Sequence, residues 1–377
     1  MEIFFSGLVH YFIPFLIILS ILVFVHEFGH YWVAKKCGVK IEAFAIGFGR
    51  ELFGFTDKSK TRWKFCLIPF GGYVKMFGDA DPASSKQSTK KMTKAEKAIA
   101  FHHKKVWQRA LIVFAGPLFN YIFAVVALAV LFMSYGQPYT SNQVSELVEG
   151  GPAAVAGIEA GDKILSLNDR STPRFEDIRR IVQLNPGVAM TVEVQRGEEV
   201  FETELTTEAV AQPDSFGDDQ NVGRIGILSK ELERVQHNPV GAVWAGVVES
   251  YNLTMSTFNA LGQIISGARS ADEIGGPLRI AKMSGDVAEA GFATALFFTA
   301  LLSINLGLIN LFPIPVLDGG HLLFYAIETV AGKPPSYRVQ ELSSMVGISL
   351  VLLLMAFATW NDLSKLNVFE YITNLIS

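Results

Sequence analysis

Residues 13–34 read IPFLIILSILVFVHEFGHYWVA, an apolar run of the length that crosses a membrane as a helix. Only three of its side chains are acidic, basic or imidazole, and all three belong to the pentapeptide His26-Glu27-Phe28-Gly29-His30. An ionisable group at the centre of a bilayer costs about 2.5–3.5 kcal/mol unless it is paired or ligated. The sequence therefore predicts a membrane helix that carries a functional site.

The spacing of the two histidines indicates that this site binds a metal. Residues four apart lie on one face of a helix, so His26 and His30 can point at one ion. Glu27 is then placed to take a proton from water during hydrolysis. In a soluble chain such a pattern arises by chance about as often as it marks a metal site. Inside a membrane span, the penalty on unligated charges favours the metal.

The composition indicates a membrane part joined to a water-exposed part. The chain has 377 residues, of which 50% are hydrophobic, and a mean hydropathy of +0.32. Residues 35–109 contain 17 Lys/Arg and 6 Asp/Glu, whereas residues 134–241 contain 9 and 18. Because positive charge beside membrane spans marks the cytoplasmic side, we expect the first segment inside the cell and the second outside. Both termini are then also outside.

The apolar runs predict a polytopic α-helical membrane protein with four transmembrane helices, a membrane-associated β-sheet and an inserted β-rich domain. Cys37 and Cys66 are expected to be free thiols of unassigned function. An amphipathic segment is expected on the outer membrane surface or against the β-rich domain. The predicted segments are a first transmembrane helix at 1–36, β-hairpins and a cytoplasmic loop at 37–106, a second transmembrane helix at 107–135, the β-rich domain at 137–228, the amphipathic segment at 235–288, a third transmembrane helix at 290–325, and a fourth with a short tail at 343–362.

A second motif, NLFPIPVLDGG at residues 310–320, offers a third metal ligand. Hydrolytic zinc sites use three protein ligands and leave one position open. Asp318 is the only acidic residue between Glu289 and Glu328. Alone it would read as a loop aspartate in a Pro/Gly turn, but beside an intramembrane HExxH it is the predicted ligand. The two prolines before it break the helix. His321 is expected to cap a helix or to support a ligand.

These two motifs resemble those of the site-2 protease (M50) family of intramembrane zinc metalloproteases, and most closely its bacterial regulator-of-sigma-E branch. The resemblance covers nearly the whole membrane part. Further stretches carry it: Phe48-Gly49, PFGGYVKM at 69–76, AGPLFN at 115–120, and Asn361-Asp362. It implies one Zn²⁺ and cleavage of peptide bonds in or near transmembrane segments.

Further candidate site residues lie in or near these motifs. By resemblance, Asn310 is a catalytic residue that stabilises the oxyanion or holds the substrate carbonyl, and Asn305 grips the substrate backbone. Asn120 either packs helices together or contacts substrate. Gly47 and Gly49, on a predicted edge strand, would hold an unwound substrate by β-addition.

The β-rich domain looks like a PDZ domain of the kind found in bacterial proteases. The resemblance rests on residues 150–157 (GGPAAVAG) followed by residues 161–165 (GDKIL). The best-known members of the regulator-of-sigma-E branch carry two such domains, whereas this chain has room for one. The resemblance also implies a late peptide-binding loop, formed here by Gly223, Ile225, Gly226 and Ile227.

We therefore predict a zinc metalloendopeptidase of the bacterial inner membrane, with its active site near the cytoplasmic side and its PDZ domain in the periplasm. The resemblance implies regulated intramembrane proteolysis of single-pass membrane proteins, such as anti-sigma factors and remnant signal peptides. The other expected partners are the lipid bilayer and peptide ligands of the PDZ domain, and nucleic acid is not expected. One alternative is a PDZ-containing receptor or scaffold with a structural metal, which would not need Glu27. The other alternative is a metal transporter, which should show rows of polar residues along several transmembrane helices.

Overall fold

The computed structural model describes residues 8–78, 92–213, 219–267 and 275–365. The chain divides into two compact units. Unit one comprises Met1–Ala129, Val243–Thr257 and Ala271–Ser377, and unit two comprises Val130–Ala242 and Phe258–Ser270.

Within the described residues, four helical segments are long and apolar enough to cross a membrane, as predicted: Val9–Lys36, Val106–Ser134, Phe292–Leu311 and Tyr337–Ser364. A π-helical turn, Leu8–Phe12, precedes the first helix, and a 3₁₀ turn spans Phe101–His103. The helices are α1 (Ile13–Lys36), α2 (Lys94–Ile99), α3 (Val106–Ser134), α4 (Pro152–Val155), α5 (Phe175–Gln183), α6 (Pro239–Ile265), α7 (Pro277–Glu289), α8 (Phe292–Leu311), α9 (Asp318–Ala331) and α10 (Tyr337–Lys365).

Two helices differ from their predicted bounds. The segment 290–325, in which the sequence predicts a break at the two prolines, contains two helices: α8 ends at Leu311 and α9 begins at Asp318. Prolines in the intervening loop lack the N–H that would continue the helix. In contrast, α10 extends well beyond the predicted 343–362 at its start, because polar residues continue the helix past the apolar run.

The predicted sheet of unit one is a bent hairpin of β1 (Ile41–Thr56) and β2 (Arg62–Met76). Phe44 pairs with Val74 on one side and with Trp63 on the other, so each strand folds back on itself. Gly47 and Gly49 have φ angles of +86° and +85°. Glycine adopts this region without the steric cost of a Cβ, which permits the bend in β1. Segment 72–76 pairs with the first part of β1 and lies beside α1.

Unit two contains the predicted β-rich domain. Its four-stranded sheet is formed, in spatial order, by Arg170–Ser171, Lys163–Leu167, Ala189–Arg196 and Glu199–Thr206. Inward side chains from alternate positions, such as Val192 and Val194, pack against Ile178 and Val182 of α5. The strands of this unit are β3 (Gln137–Thr140), β4 (Glu146–Leu147), β5 (Lys163–Leu167), β6 (Arg170–Ser171), β7 (Ala189–Arg196), β8 (Glu199–Thr206), β9 (Glu208–Pro213), β10 (Asp219–Arg224), β11 (Ile227–Leu228) and β12 (Leu232–Val235).

Residues 243–257 of the predicted amphipathic segment pack against one of the long apolar helices. Within unit one, a Cβ on Gly246 of α6 would lie 2.8 Å from the Val125 carbonyl oxygen of α3. The Tyr121 hydroxyl of α3 and the Thr254 Oγ1 of α6 are 3.2 Å apart and share a hydrogen bond. Residues 243–257 therefore belong with the helices of unit one.

Candidate metal centre

Three side chains of unit one that are far apart in the sequence lie close together in the structure. His26 Nε2 lies 3.1 Å from Asp318 Oδ2, and His30 Nε2 lies 3.5 Å from the same oxygen. The two Nε2 atoms are 3.2 Å apart. Among the described residues, this is the one group of three or more His, Cys, Asp or Glu side chains close enough to hold a metal ion.

The dimensions of this group fit a tetrahedral ion. Zinc–nitrogen and zinc–oxygen bonds of about 2.0–2.1 Å place neighbouring ligand atoms about 3.3–3.4 Å apart. The three observed separations, 3.1, 3.2 and 3.5 Å, bracket that value. Asp318 Oδ2 is buried and has no hydrogen-bond partner. A buried carboxylate oxygen without a donor is costly, and a cation would remove that cost.

The loop that places Asp318 beside the histidines has a strained backbone. Val316, in the loop between α8 and α9, has a φ of +96°, which is unfavourable for a β-branched residue. A Cβ on Gly319 would lie 2.2 Å from the Phe312 carbonyl oxygen, and one on Gly320 would lie 2.5 Å from that of Ile314. The two glycines after Asp318 therefore let the loop fold tightly onto the start of α9.

Helices α1 and α3 approach each other closely at this centre because glycine faces the partner helix on both. A Cβ on Gly29 would lie 2.3 Å from the Ala115 carbonyl oxygen. A Cβ on Gly116 would lie 2.3 Å from His30 Nε2 and 2.9 Å from His26 Cε1. The space beside both imidazoles therefore exists only while residue 116 is glycine.

Glu27 lies beside the group, at a cavity of about 180 Å³. Glu27, His30 and Asp318 line this cavity together with the exposed residues His102 and His321. The bent sheet adjoins the same carboxylate, since a Cβ on Gly72 would lie 3.2 Å from Glu27 Cγ. A buried carboxyl group, three side chains spaced to hold a metal ion and a cavity with exposed lining residues thus occur together, a combination suited to hydrolysis.

Comparison with known proteins agrees with this geometry. The model of peptidase family M50 matches residues 14–354, which include both motifs.

The chain belongs to peptidase family M50.

Relatives of this M50 peptidase extend over almost its whole length. Predicted zinc metalloproteases of Agrobacterium fabrum and Rhizobium meliloti are 43% and 42% identical, each over 94% of this chain and 96–97% of the relative. Metalloprotease MmpA of Caulobacter vibrioides is 36% identical over 96% of this chain and 97% of that protein. The chain is accordingly a zinc metalloprotease of a membrane-embedded family.

The crystallised PDZ domain of the SdrC-like protein from Listeria monocytogenes aligns with 24% of this chain and 88% of its own length, at 18% identity and a TM-score of 0.20. The PDZ fold of this M50 peptidase stays a prediction.

The predicted substrate-binding asparagines make contacts within the protein. Asn310 Nδ2 donates to the Leu306 carbonyl oxygen at 3.0 Å, and Asn305 Oδ1 accepts from Thr257 Oγ1 at 3.1 Å. Among the described residues, neither side chain hydrogen-bonds to the histidines or Asp318. Asn120 is completely buried, and its Nδ2 lies 3.1 Å from His26 Nδ1. Of the three, only Asn120 is hydrogen-bonded to the metal-ligand group.

The predicted edge-strand glycines are covered by β2. A Cβ on Gly47 would lie 2.6 Å from the Ile68 carbonyl oxygen, and Gly49 lies against the Ile68 side chain. The structure instead places Gly72 and Val74 of β2 beside Glu27. The aromatic pattern of the sequence does not determine how the two strands pair. Because β1 folds back on itself, the later half of β2 lies beside Glu27, and Gly47 and Gly49 do not.

The predicted peptide loop of the M50 peptidase is packed into its own domain. Ile225 is buried in the core, and the Gly226 carbonyl accepts from the Val148 N–H. Ile227 pairs with Leu147 of β4. A Cβ on Gly223 would lie 2.0 Å from a backbone carbonyl oxygen of α5. Their role in peptide binding stays a prediction.

Sequence reasoning missed two supports of the site. Gly116 lies in the quoted AGPLFN stretch, but its importance depends on a distance between helices. Arg109 of α3 donates to Glu328 of α9 at 2.7 Å, and its guanidinium lies 4.9 Å from the Tyr325 ring centroid. This ion pair holds the helix that begins with Asp318 against α3. No local sequence pattern predicts it.

Proposed function

We propose that this M50 peptidase hydrolyses peptide bonds in or near the transmembrane segments of single-pass membrane proteins. The observation that carries the proposal is the convergence of His26 Nε2, His30 Nε2 and Asp318 Oδ2 within 3.5 Å, beside Glu27. The three ligating atoms belong to a chain whose helices around them are long and apolar enough to cross a membrane. Peptide-bond cleavage at that position would act on membrane-embedded substrates.

The proposed roles follow from the chemistry of each side chain. His26, His30 and Asp318 would hold one Zn²⁺, which when bound supplies Lewis acidity toward a carbonyl and makes water more acidic. Glu27 takes the proton of the attacking water and later gives a proton to the leaving amine. Asn310 is the proposed donor to the developing oxyanion. Its Nδ2 carries two protons, of which one is donated to the Leu306 carbonyl oxygen and the second is left for that role.

Substrate presentation is proposed to use the bent sheet. A helical substrate shields its carbonyls within its own hydrogen bonds and must be extended before attack. Segment 72–74 of β2 lies beside Glu27 and belongs to a strand that pairs with β1. An extended peptide lying along this segment would place a carbonyl near Glu27 by strand addition. Anti-sigma factors and remnant signal peptides are the proposed substrate class.

We also propose an inner-membrane orientation with residues 35–109 in the cytoplasm and the β-rich domain in the periplasm. The support is the segregation of charge, 17 Lys/Arg against 6 Asp/Glu in the first segment and 9 against 18 in residues 134–241. Ala95 and Glu198 are exposed positions in these segments. In a background without native cysteines, an impermeant maleimide on intact cells should label Glu198→Cys and spare Ala95→Cys. The reverse pattern would overturn the orientation.

The proposed chemistry is tested by Glu27→Gln, which keeps the size of the side chain and removes the base. Loss of a general base costs about 10²–10⁴-fold in rate, whereas zinc content should stay at the parent level because Glu27 is not a proposed ligand. The assay is cleavage of a transmembrane substrate in detergent, with and without chelator. Glu42→Gln, on β1, is the matched control. Parent-level cleavage by zinc-loaded Glu27→Gln would contradict the assigned base.

A further inference from the structure

Asn120 presents an unsatisfied atom at the metal centre. Its side chain is completely buried, with Nδ2 placed 3.1 Å from His26 Nδ1. Its Oδ1 is buried without a hydrogen-bond partner. Within the described part of the chain, only one other buried side-chain oxygen or nitrogen lacks a partner, and that atom is Oδ2 of Asp318. Both atoms thus belong to the group that surrounds the proposed zinc position.

The placement of the Asn120 amide conflicts with ligation through His26 Nε2. If Nδ2 donates to His26 Nδ1, a neutral imidazole carries its proton on Nε2, which faces Asp318. A protonated Nε2 has no lone pair for a metal. The amide oxygen and nitrogen are nearly equivalent in shape, so rotating the amide by 180° places Oδ1 against Nδ1. The unsatisfied oxygen then accepts the Nδ1 proton, and Nε2 is free to ligate.

His30 already shows this arrangement. Its Nδ1 lies 2.9 Å from the Ile112 carbonyl oxygen. A backbone carbonyl can only accept, so His30 carries its proton on Nδ1 and presents a free Nε2. The same logic applied to His26 requires an acceptor at Asn120.

The three α3 positions at the histidines follow helical spacing. Ile112, Gly116 and Asn120 are four residues apart and share one face of α3. Each has a different role: the first places its carbonyl oxygen against His30, the second leaves space beside both imidazole rings, and the third places its carboxamide against His26. One face of α3 therefore contacts the Nδ1 atom of both histidines on α1.

We propose that Asn120 is a positioning residue whose carboxamide oxygen accepts the His26 Nδ1 proton and so fixes the ring with Nε2 toward the metal. This inference rests on the proposed zinc site, and it replaces the predicted substrate contact of Asn120. Hydrogen-bond partners behind ligating histidines fix their tautomer and orientation, and losing one weakens metal binding by about 10–100-fold.

Two substitutions separate this role from packing. Asn120→Leu keeps the volume and removes the acceptor, so zinc affinity measured by chelator competition should fall about 10–100-fold. Asn120→Asp offers an oxygen to Nδ1 without an amide donor, so its zinc affinity should stay within about tenfold of the parent. Ser303→Ala is the matched control, because the Ser303 Oγ donates to the Asn120 backbone oxygen at 2.8 Å and not to its carboxamide. Its affinity should equal that of the parent.

Each outcome decides a separate point. Parent-level zinc affinity in Asn120→Leu, or an Asn120→Asp variant as weak as Asn120→Leu, would overturn the proposal. If the parent itself binds no zinc, or His26→Ala binds it as tightly as the parent, the proposed zinc site fails instead.

A measurement on the unsubstituted chain covers the case in which a variant does not fold. In zinc-loaded parent protein labelled with ¹⁵N-histidine, the His26 signal is assigned by its loss in His26→Gln. We expect a protonated Nδ1 and a metal-bound Nε2. An unprotonated Nδ1 would contradict the role assigned to Asn120.

Discussion

At the scale of single residues, the site depends on a glycine that leaves space as much as on the side chains that face the metal position. The histidine spacing and the isolated Asp318 could be read from the sequence, because each follows a local rule of helix geometry or charge. Gly116 could not, because its role is set by where α3 crosses α1. Its missing Cβ leaves the space beside His30 Nε2.

Gly116→Ala should therefore impair the metal centre. The added methyl group would lie 2.3 Å from His30 Nε2, and overpacking of this kind costs about 1–3 kcal/mol. We expect zinc affinity to fall roughly tenfold or more, measured by chelator competition. Gly262→Ala on α6 is the matched control, since a Cβ there meets no atom within 4 Å. Parent-level affinity in Gly116→Ala would show that the helices separate readily at this point.

At the scale of elements, the bent sheet is anchored to α1 through one turn. Asp57, between β1 and β2, accepts hydrogen bonds from the Thr61 N–H at 3.0 Å, Trp63 Nε1 at 3.2 Å and the Tyr31 hydroxyl of α1 at 3.3 Å. Burial by itself would raise the pKa of Asp57, but hydrogen bonds from Ser59, Thr61 and Trp63 outweigh it and hold that pKa well below its ordinary value. The aromatic runs predicted strands here, whereas the anchoring turn depends on contacts that no alternation encodes.

Because its pKa is lower in the folded state, Asp57 contributes stability above its unfolded pKa of about 3.9, and this stability is lost as the pH falls through the folded value. Asp57→Asn should lower the thermal unfolding midpoint at pH 7, and its gap to the parent should narrow below about pH 4. Asp286→Asn, at an exposed position of α7, should match the parent throughout. A gap that stays constant from pH 7 to pH 3 would contradict the role of the charge.

At the scale of the whole molecule, hydropathy predicted the four apolar helices, because each is defined by its own sequence. The position of α6 could not be predicted in this way. Its partners on α3 and α8, such as Tyr121 and Asn305, lie far away in the chain. The pairing of His26 with Asp318, nearly 300 residues later, was predicted from the two motifs and their chemistry rather than from any periodicity.

The described residues of the β-rich domain hold no group of three or more His, Cys, Asp or Glu side chains close enough to bind a metal ion, and we expect the domain to restrict which substrates are cleaved. Thr140 of β3 pairs directly with Leu232 of β12, so residues 141–231 can be replaced by an Asn-Gly hairpin turn. This variant should cleave short-tailed substrates at near the parent rate and gain cleavage of substrates with a folded outer domain. An unchanged ratio of the two rates would contradict a filtering role, and a folded, zinc-loaded but inactive variant would place the domain in catalysis.

The central claim, that His26, His30 and Asp318 together hold one zinc ion, is tested most directly by the zinc content of purified Asp318→Ala after dialysis against a chelator. Asp318 comes from a different helix than the histidines, so its loss breaks the site without disturbing the HEFGH motif. We predict about one zinc per chain in the parent and in the exposed-position control Asp286→Ala. Asp318→Ala should retain less than about a tenth of that amount, since losing a ligand costs at least as much as losing an outer partner. Full zinc occupancy in Asp318→Ala would remove this residue from the ligand set and contradict the account.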